Sequence, residues 1–237
     1  MKQITKLADA VVKSAWKYYS IGCAETGKNK NGEGNNIVKC GGSITKFPSG
    51  KSGIAWCMDF VDLVYVDALT SLGMSVKNRP INTPDVTTTF NQAKSAGIRI
   101  DKNAAIGAIL LRSTHTKPST TTKLQTGTNK TSHVAIIVGI TNKGEWVTIE
   151  GNTGDRVNVK YYDDPKGFFK KSDHVVLHYE EWGNTSLVNH TLETAIIAKA
   201  QTSSSNANDD GDHASNNNAN NNNYKNNIAY AGRNVWK

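Results

Sequence analysis

The segment GIAWCMDFVDLVYVDALTSLG, residues 53–73, sets one cysteine at the head of an apolar run. Phe60, Val61, Val64, Tyr65, Ala68, Leu69 and Leu72 recur at three- and four-residue steps, and Gly73 stands where a left-handed C-terminal residue belongs. The spacing predicts a buried helix starting near Trp56, with Cys57 in its first turn. A thiol there faces unsatisfied N–H groups and the positive end of the helix dipole, both of which favour the nucleophilic thiolate. The same N–H groups could hold a tetrahedral oxyanion. A buried core cysteine explains Cys57 equally well from this segment alone, so its role turns on whether the chain supplies a base.

Around this segment the periodicity changes along the chain. Residues 5–19 place Leu7, Val11, Ala15 and Tyr18 on one helical face. Gly22 to Gly53 is rich in Gly, Asn, Lys and Ser and reads as mostly loop. A polar helix is predicted over Val86–Ala96. Ile106–Arg112 reads as a short apolar strand, and residues 113–131 as a polar insertion. Ser132–Ile140, Glu145–Asn152, Arg156–Tyr162 and His174–Glu181 read as consecutive strands with turns between them. Helices first and antiparallel strands afterwards describe an α+β layer fold.

Composition divides the rest. Residues 1–181 form the expected globular domain, 182–200 a connector in which Thr191–Ala200 could form a short helix, and 201–237 a low-complexity tail. Twelve asparagines fall between Asn206 and Asn234, and such a segment buries too little apolar surface to offset its ordering entropy, so a disordered tether is expected. A chain of 237 residues suits one domain of moderate size with this appendage.

The formal net charge is +8. The tail from Gln201 contributes none of it, because Asp209, Asp210 and Asp212 balance Lys225, Arg233 and Lys237. A basic domain favours anionic partners, but no interleaved basic and aromatic motif points to nucleic acid. No window approaches the ~20 apolar residues of a membrane span. The N-terminal residues lack the apolar core of a secretory signal, so synthesis in the cytoplasm without a signal peptide is expected, with action elsewhere after release.

Three cysteines without a CxxC pair make a cysteine-rich zinc site a poor fit. Cys23 and Cys40 could pair in an oxidising space; the default reading is two inert thiols. His115, His174, His178, His190 and His213 have no ligand-like spacing with carboxylates or cysteines and read as surface or strand residues.

His133 is different. It heads SHVAIIVGI, after a polar loop and before a strand, where an imidazole is fixed at one end and open at the other, as a general base requires. The strand EWVTIE ends at Glu150, and Asn152 follows two residues later. A carboxylate ending the neighbouring strand can reach the imidazole, set its tautomer and stabilise its charged form.

Taken together, AWCMDFV, the isolated strand GAILL, SHVAIIVG and WVTIEGNTG resemble the CHAP domains, cysteine- and histidine-dependent amidohydrolases and peptidases of the wider NlpC-type papain-like group. The resemblance spans roughly residues 5–180. It implies a papain-like fold with N-terminal helices on an antiparallel sheet, and cleavage of an amide bond in peptidoglycan through a thioester. The bond would be that of an N-acetylmuramoyl-L-alanine amidase or a murein endopeptidase. It also implies Cys57 as nucleophile, His133 as base, Glu150 as its orienting acid and Asn152 as a fourth polar residue. Gly107 resembles the glycine that opens the strand before the histidine strand, and Glu25 the acid after the first helix. Some members bind calcium near NKNGEGNN, which nominates Glu25, Asn31 and Glu33 as oxygen donors, although the spaced aspartates of a calcium loop are missing. Otherwise no cofactor is implied. Trp56 could wall the substrate groove. The expected setting is a monomeric phage endolysin or virion-associated lysin working on bacterial peptidoglycan and its anionic wall polymers. The chain departs from the family pattern in its long threonine-rich loop before His133 and in Ser132, where a glycine is commoner. Rival readings are a secreted toxin or effector acting on another amide, and a non-catalytic wall-binding module.

Overall fold

The computed structural model describes residues 2–26, 37–48, 55–113, 132–163, 174–183 and 186–190. The insertion at 114–131, Asn31 and Glu33, the helix expected over Thr191–Ala200 and the tail from Gln201 lie outside the described residues. The described residues fall in one compact unit, Met1–Thr191.

Strand β1, Lys2–Thr5, leads directly into helix α1, Lys6–Ile21. Thr5 caps this helix by accepting from the Ala8 backbone N–H at 3.0 Å, and Gly22, at φ 72°, ends it. Three short strands follow: β2, Cys23–Glu25; β3, Val38–Cys40; and β4, Ser43–Ile44. They form their own antiparallel sheet in the order β2-β3-β4, within a region whose composition reads as loop. Its reading as two inert thiols is also corrected, because Cys23 and Cys40 face each other across β2 and β3 and are joined by a disulfide. Strands of two or three residues carry no periodicity to detect, and this covalent cross-link supplies part of what their packing lacks.

Helix α2 runs Cys57–Ser71 and α3 Val86–Ser95. Asp85 caps α3 by accepting from the Thr88 N–H at 2.6 Å. Helices α1 and α2 pack on each other, and both lie against the strands Ser132–Ile140 and Glu145–Glu150 of the main sheet. Their shared core holds Leu7, Val11, Val12 and Ala15 of α1 with Val61, Val64 and Leu69 of α2, all without exposure. Ser14 and Lys17 of α1 both reach Asp67 of α2, at 2.7 and 3.1 Å, fixing the pair at its wet edge.

The main sheet contains β5, Ile100–Asp101; β6, Ile109–Ser113; β7, Ser132–Ile140; β8, Glu145–Glu150; β9, Asn158–Asp163; and β10, His174–Leu177. Its order is β5-β10-β6-β7-β8-β9, with every neighbouring pair antiparallel. A bulge between Ile137 and Gly139 breaks the β7–β8 register. The fold is thus the expected α+β mixture, with three helices and antiparallel sheets among the described residues.

Strand β11, Leu187–His190, falls in the stretch assigned to a connector. It pairs antiparallel with β1, Ile4 opposite Val188, and the Lys6 N–H donates to the Ser186 carbonyl at 3.0 Å. The ordered unit therefore extends past residue 181, because the backbone of β1 takes β11 as its hydrogen-bond partner.

Gly107 shows why a glycine precedes β6. Its φ is +88°, and a Cβ there would stand 2.7 Å from the Cα of Ala8 in α1. The Gly107 carbonyl accepts from the buried Tyr65 hydroxyl at 2.6 Å, which ties α2 to the same point.

Candidate active site

Cys57 is the first residue of α2. Trp56 precedes it as N-cap without a side-chain hydrogen bond to the helix end. The first-turn N–H groups therefore carry no side-chain cap, and the helix presents them beside the thiol. Cys57 is 4% exposed and is the free cysteine of the chain.

His133, the second residue of β7, lies directly opposite Arg112 of β6, so the two side chains rise from the same face of the sheet. Its Nε2 lies 2.8 Å from Oε2 of Glu150, the last residue of β8. Cys57 is another neighbour of the imidazole, close enough to help raise its pKa. The sequence-predicted Cys57, His133 and Glu150 thus stand together in one site.

Glu150 is 1% exposed, and an isolated buried carboxylate would be costly. Here its oxygens are well supplied. Oε1 accepts from Thr148 Oγ1 at 2.7 Å and Tyr162 Oη at 2.5 Å; Oε2 faces His133, Thr153 Oγ1 at 3.3 Å and Arg112 Nη2 at 3.5 Å. Burial works to raise its pKa, but the His133 bond and charge, then Arg112 and Tyr162, outweigh it and lower the value to about 2. Burial likewise opposes a charged His133, yet Cys57 and Glu150 raise its pKa to about 9. Burial first and Glu150 second raise the pKa of the Tyr162 hydroxyl, which keeps it a donor to the carboxylate.

The geometry adds residues that sequence reasoning missed. Thr153 stands 3.5 Å from His133 Nε2 as well as contacting Glu150. Asn152, expected as the fourth polar residue, sits in a left-handed turn at φ 58°, and it is Thr153 whose side chain contacts the His133–Glu150 pair. Arg112, Tyr162 and Thr148 belong to the same cluster. Arg112 ends an apolar strand, which is a detectable signal; Tyr162 and Thr148 become neighbours of Glu150 only through strand register.

Gly151 has a packing reason. A Cβ there would fall 2.4 Å from Cβ of Phe60, one turn along α2 from Cys57. The loop after Glu150 and the helix that carries Cys57 touch at this glycine, which sets the spacing between carboxylate and thiol.

Trp56, proposed as a groove wall, is 1% exposed. Its ring stacks on Phe47 at 6.1 Å and its Nε1 donates to Glu25 Oε2 at 3.3 Å, so it is a packing residue. That contact also gives Glu25 a partner other than a cation, while its companions Asn31 and Glu33 lie outside the described residues.

His178, read as a surface or strand residue, is neither, because it lies buried just past the end of β10. It is 1% exposed, with Nε2 2.9 Å from Asp101 Oδ1 and Nδ1 2.9 Å from Glu180 Oε1. His178, Glu180 and Glu181 bring ligand atoms within 4.8 Å of one another. The positive charge this group calls for is already supplied by Arg99, which reaches His178 Nδ1 at 2.8 Å and Glu181 Oε1 at 2.6 Å and also contacts Asp101.

An antiparallel α+β scaffold carrying a helix-borne thiol, a strand-borne imidazole and a buried carboxylate has the parts of a cysteine nucleophile site. No protein-family model, curated protein or solved structure matches the chain.

Proposed function

We propose that the chain is a cysteine-dependent amide hydrolase of papain-like, CHAP type, acting on peptidoglycan. The observation that carries this reading is the grouping of Cys57, at the start of α2, with the His133–Glu150 pair. His133 takes the Cys57 proton, and Sγ attacks the amide carbonyl carbon. The carbonyl π pair moves to oxygen, where N–H groups at the start of α2 stabilise it. Collapse breaks the C–N bond as His133 passes its proton to the leaving nitrogen, which leaves a thioester on Cys57. Water then adds to the thioester and gives a proton to His133. Collapse of that adduct expels the Cys57 thiolate, which recovers the proton, and releases a carboxylic acid. Glu150 remains ionised throughout and holds the imidazolium.

The basic residues of the domain suit an anionic wall polymer. The Cys23–Cys40 disulfide suits work in an oxidising space outside the cytoplasm. Both support a wall lysin that leaves the cell of synthesis.

The test is digestion of purified peptidoglycan, with mass spectrometry of the released muropeptides and Cys57→Ala as control. A new alanine amino terminus with free muramyl lactate identifies an amidase, and any other new terminus an endopeptidase. No Cys57-dependent product from walls would overturn the murein assignment, and cleavage of other peptides would then favour the toxin or effector reading.

A further inference from the structure

Arg112 is not used by the mechanism above, yet it stands in the site. It is the register partner of His133 across β6 and β7, and its side chain keeps 30% of its exposure. Its guanidinium lies over the Tyr162 ring at 5.7 Å, which orients the plane. Its contact with the site's acid is marginal, because Nη2 is 3.5 Å from Glu150 Oε2 and that oxygen already has His133 at 2.8 Å. Among the described residues, the buried Arg112 Nε has no acceptor. A guanidinium carries five donors in a planar fork suited to a carboxylate. A buried donor without a partner is costly, and such groups call for a physical explanation.

We infer that Arg112 is a substrate-specificity residue, binding a free carboxylate of the substrate beside the scissile amide. This rests on the hydrolase reading and narrows it to amides flanked by an ionised carboxyl group, such as a peptide stem carrying a free α-carboxylate in place of its carboxamide. Glu150 has other donors on both oxygens, so an incoming carboxylate can take the arginine without stripping the catalytic acid. His133, on the neighbouring strand, stays between Arg112's strand and Glu150's.

Cys57 is the free thiol of the disulfide-bonded chain, so alkylation reports on this site without needing turnover. The full chain is treated with iodoacetate and with iodoacetamide, which differ by a carboxylate against a carboxamide. The ratio of the two rates is compared in wild type, Arg112→Gln and Arg112→Lys, with folding of each checked by circular dichroism. The expected result is a fall in the iodoacetate-to-iodoacetamide ratio of about tenfold in Arg112→Gln, the size of a lost charge-assisted hydrogen bond, with most of the ratio kept in Arg112→Lys. In turnover, Arg112→Gln should raise KM for a free-carboxylate stem peptide more than KM for its amidated form. An unchanged ratio in a folded, alkylatable Arg112→Gln overturns the carboxylate role and leaves the hydrolase reading intact. Equal losses on both stem peptides, in kcat alone, would make Arg112 a positioning residue for Glu150 and also overturn it. A wild-type Cys57 that reacts with neither reagent overturns the hydrolase reading and this inference together.

Discussion

His133 Nε2 and Glu150 Oε2 meet at 2.8 Å from the facing ends of adjacent strands, and the two groups move each other's ionisation in opposite directions. Glu150, lowered from 4.5 to about 2, contributes stability that is fully present above 4.5 and lost as pH falls through about 2. His133, raised from 6.5 to about 9, contributes stability that is present below 6.5 and lost as pH rises through about 9.

In Glu150→Gln the imidazolium loses its counter-charge. The His133 pKa is expected to fall by about one unit or more, and the alkaline loss of activity to move down with it. Following the His133 ring proton by NMR across pH checks this. A titration unchanged from wild type would show that the 2.8 Å contact carries no electrostatic weight.

Gly151→Ala puts a methyl group into Phe60, where the distance to Phe60 Cβ would be 2.4 Å. Relief requires the loop after β8 to move away from α2. The expected cost is about 1–3 kcal/mol, measured by urea denaturation, together with a fall in kcat from the shifted thiol. Full activity at full stability would mean that the site tolerates a wider spacing.

Arg79 and Asp62 form a two-pronged ion pair, Nε to Oδ1 at 2.8 Å and Nη2 to Oδ2 at 2.9 Å, with the Asp62 side chain 1% exposed. Burial already raises the Asp62 pKa despite the arginine. Removing the cation in Arg79→Ala is expected to cost about 3–5 kcal/mol by stranding the carboxylate. Arg79→Met with Asp62→Leu should recover most of that loss. A single-variant cost within the noise of denaturation curves would mean that the pair is solvated.

The Cys23–Cys40 disulfide closes a loop with a sequence separation of 17. Replacing both residues with serine is expected to cost about 3 kcal/mol. The effect should reach the site through Glu25, which follows in β2 and accepts from Trp56 beside Cys57. Thiol counting on denatured protein should give one group without reductant and three with it; three without reductant would exclude the bridge.

Helices α2 and α3 and strands β7 and β8 were legible because each is long enough to show its period. Cys57, His133 and Glu150 were legible because each occupies an element end, where a side chain can be fixed yet reach another strand or helix. The β2–β4 sheet was not, because strands of two or three residues depend on partners far along the chain and on a disulfide. Strand β11 hid in a polar stretch, since its pairing with β1 is a backbone matter. Tyr162, Thr148 and Thr153 were missed because only register and turn geometry set them around Glu150. His178 was misjudged because its burial is compensated by Asp101, a partner 77 positions away.

The most direct measurement is the rate of amide cleavage in purified cell walls, followed as released amino groups, for wild type, Cys57→Ser and His133→Ala with matched folding. If Cys57 is the nucleophile and His133 its base, both variants lose activity by on the order of 10³-fold or more. Cleavage by Cys57→Ser at the wild-type rate would contradict the nucleophile assignment and the mechanism built on it.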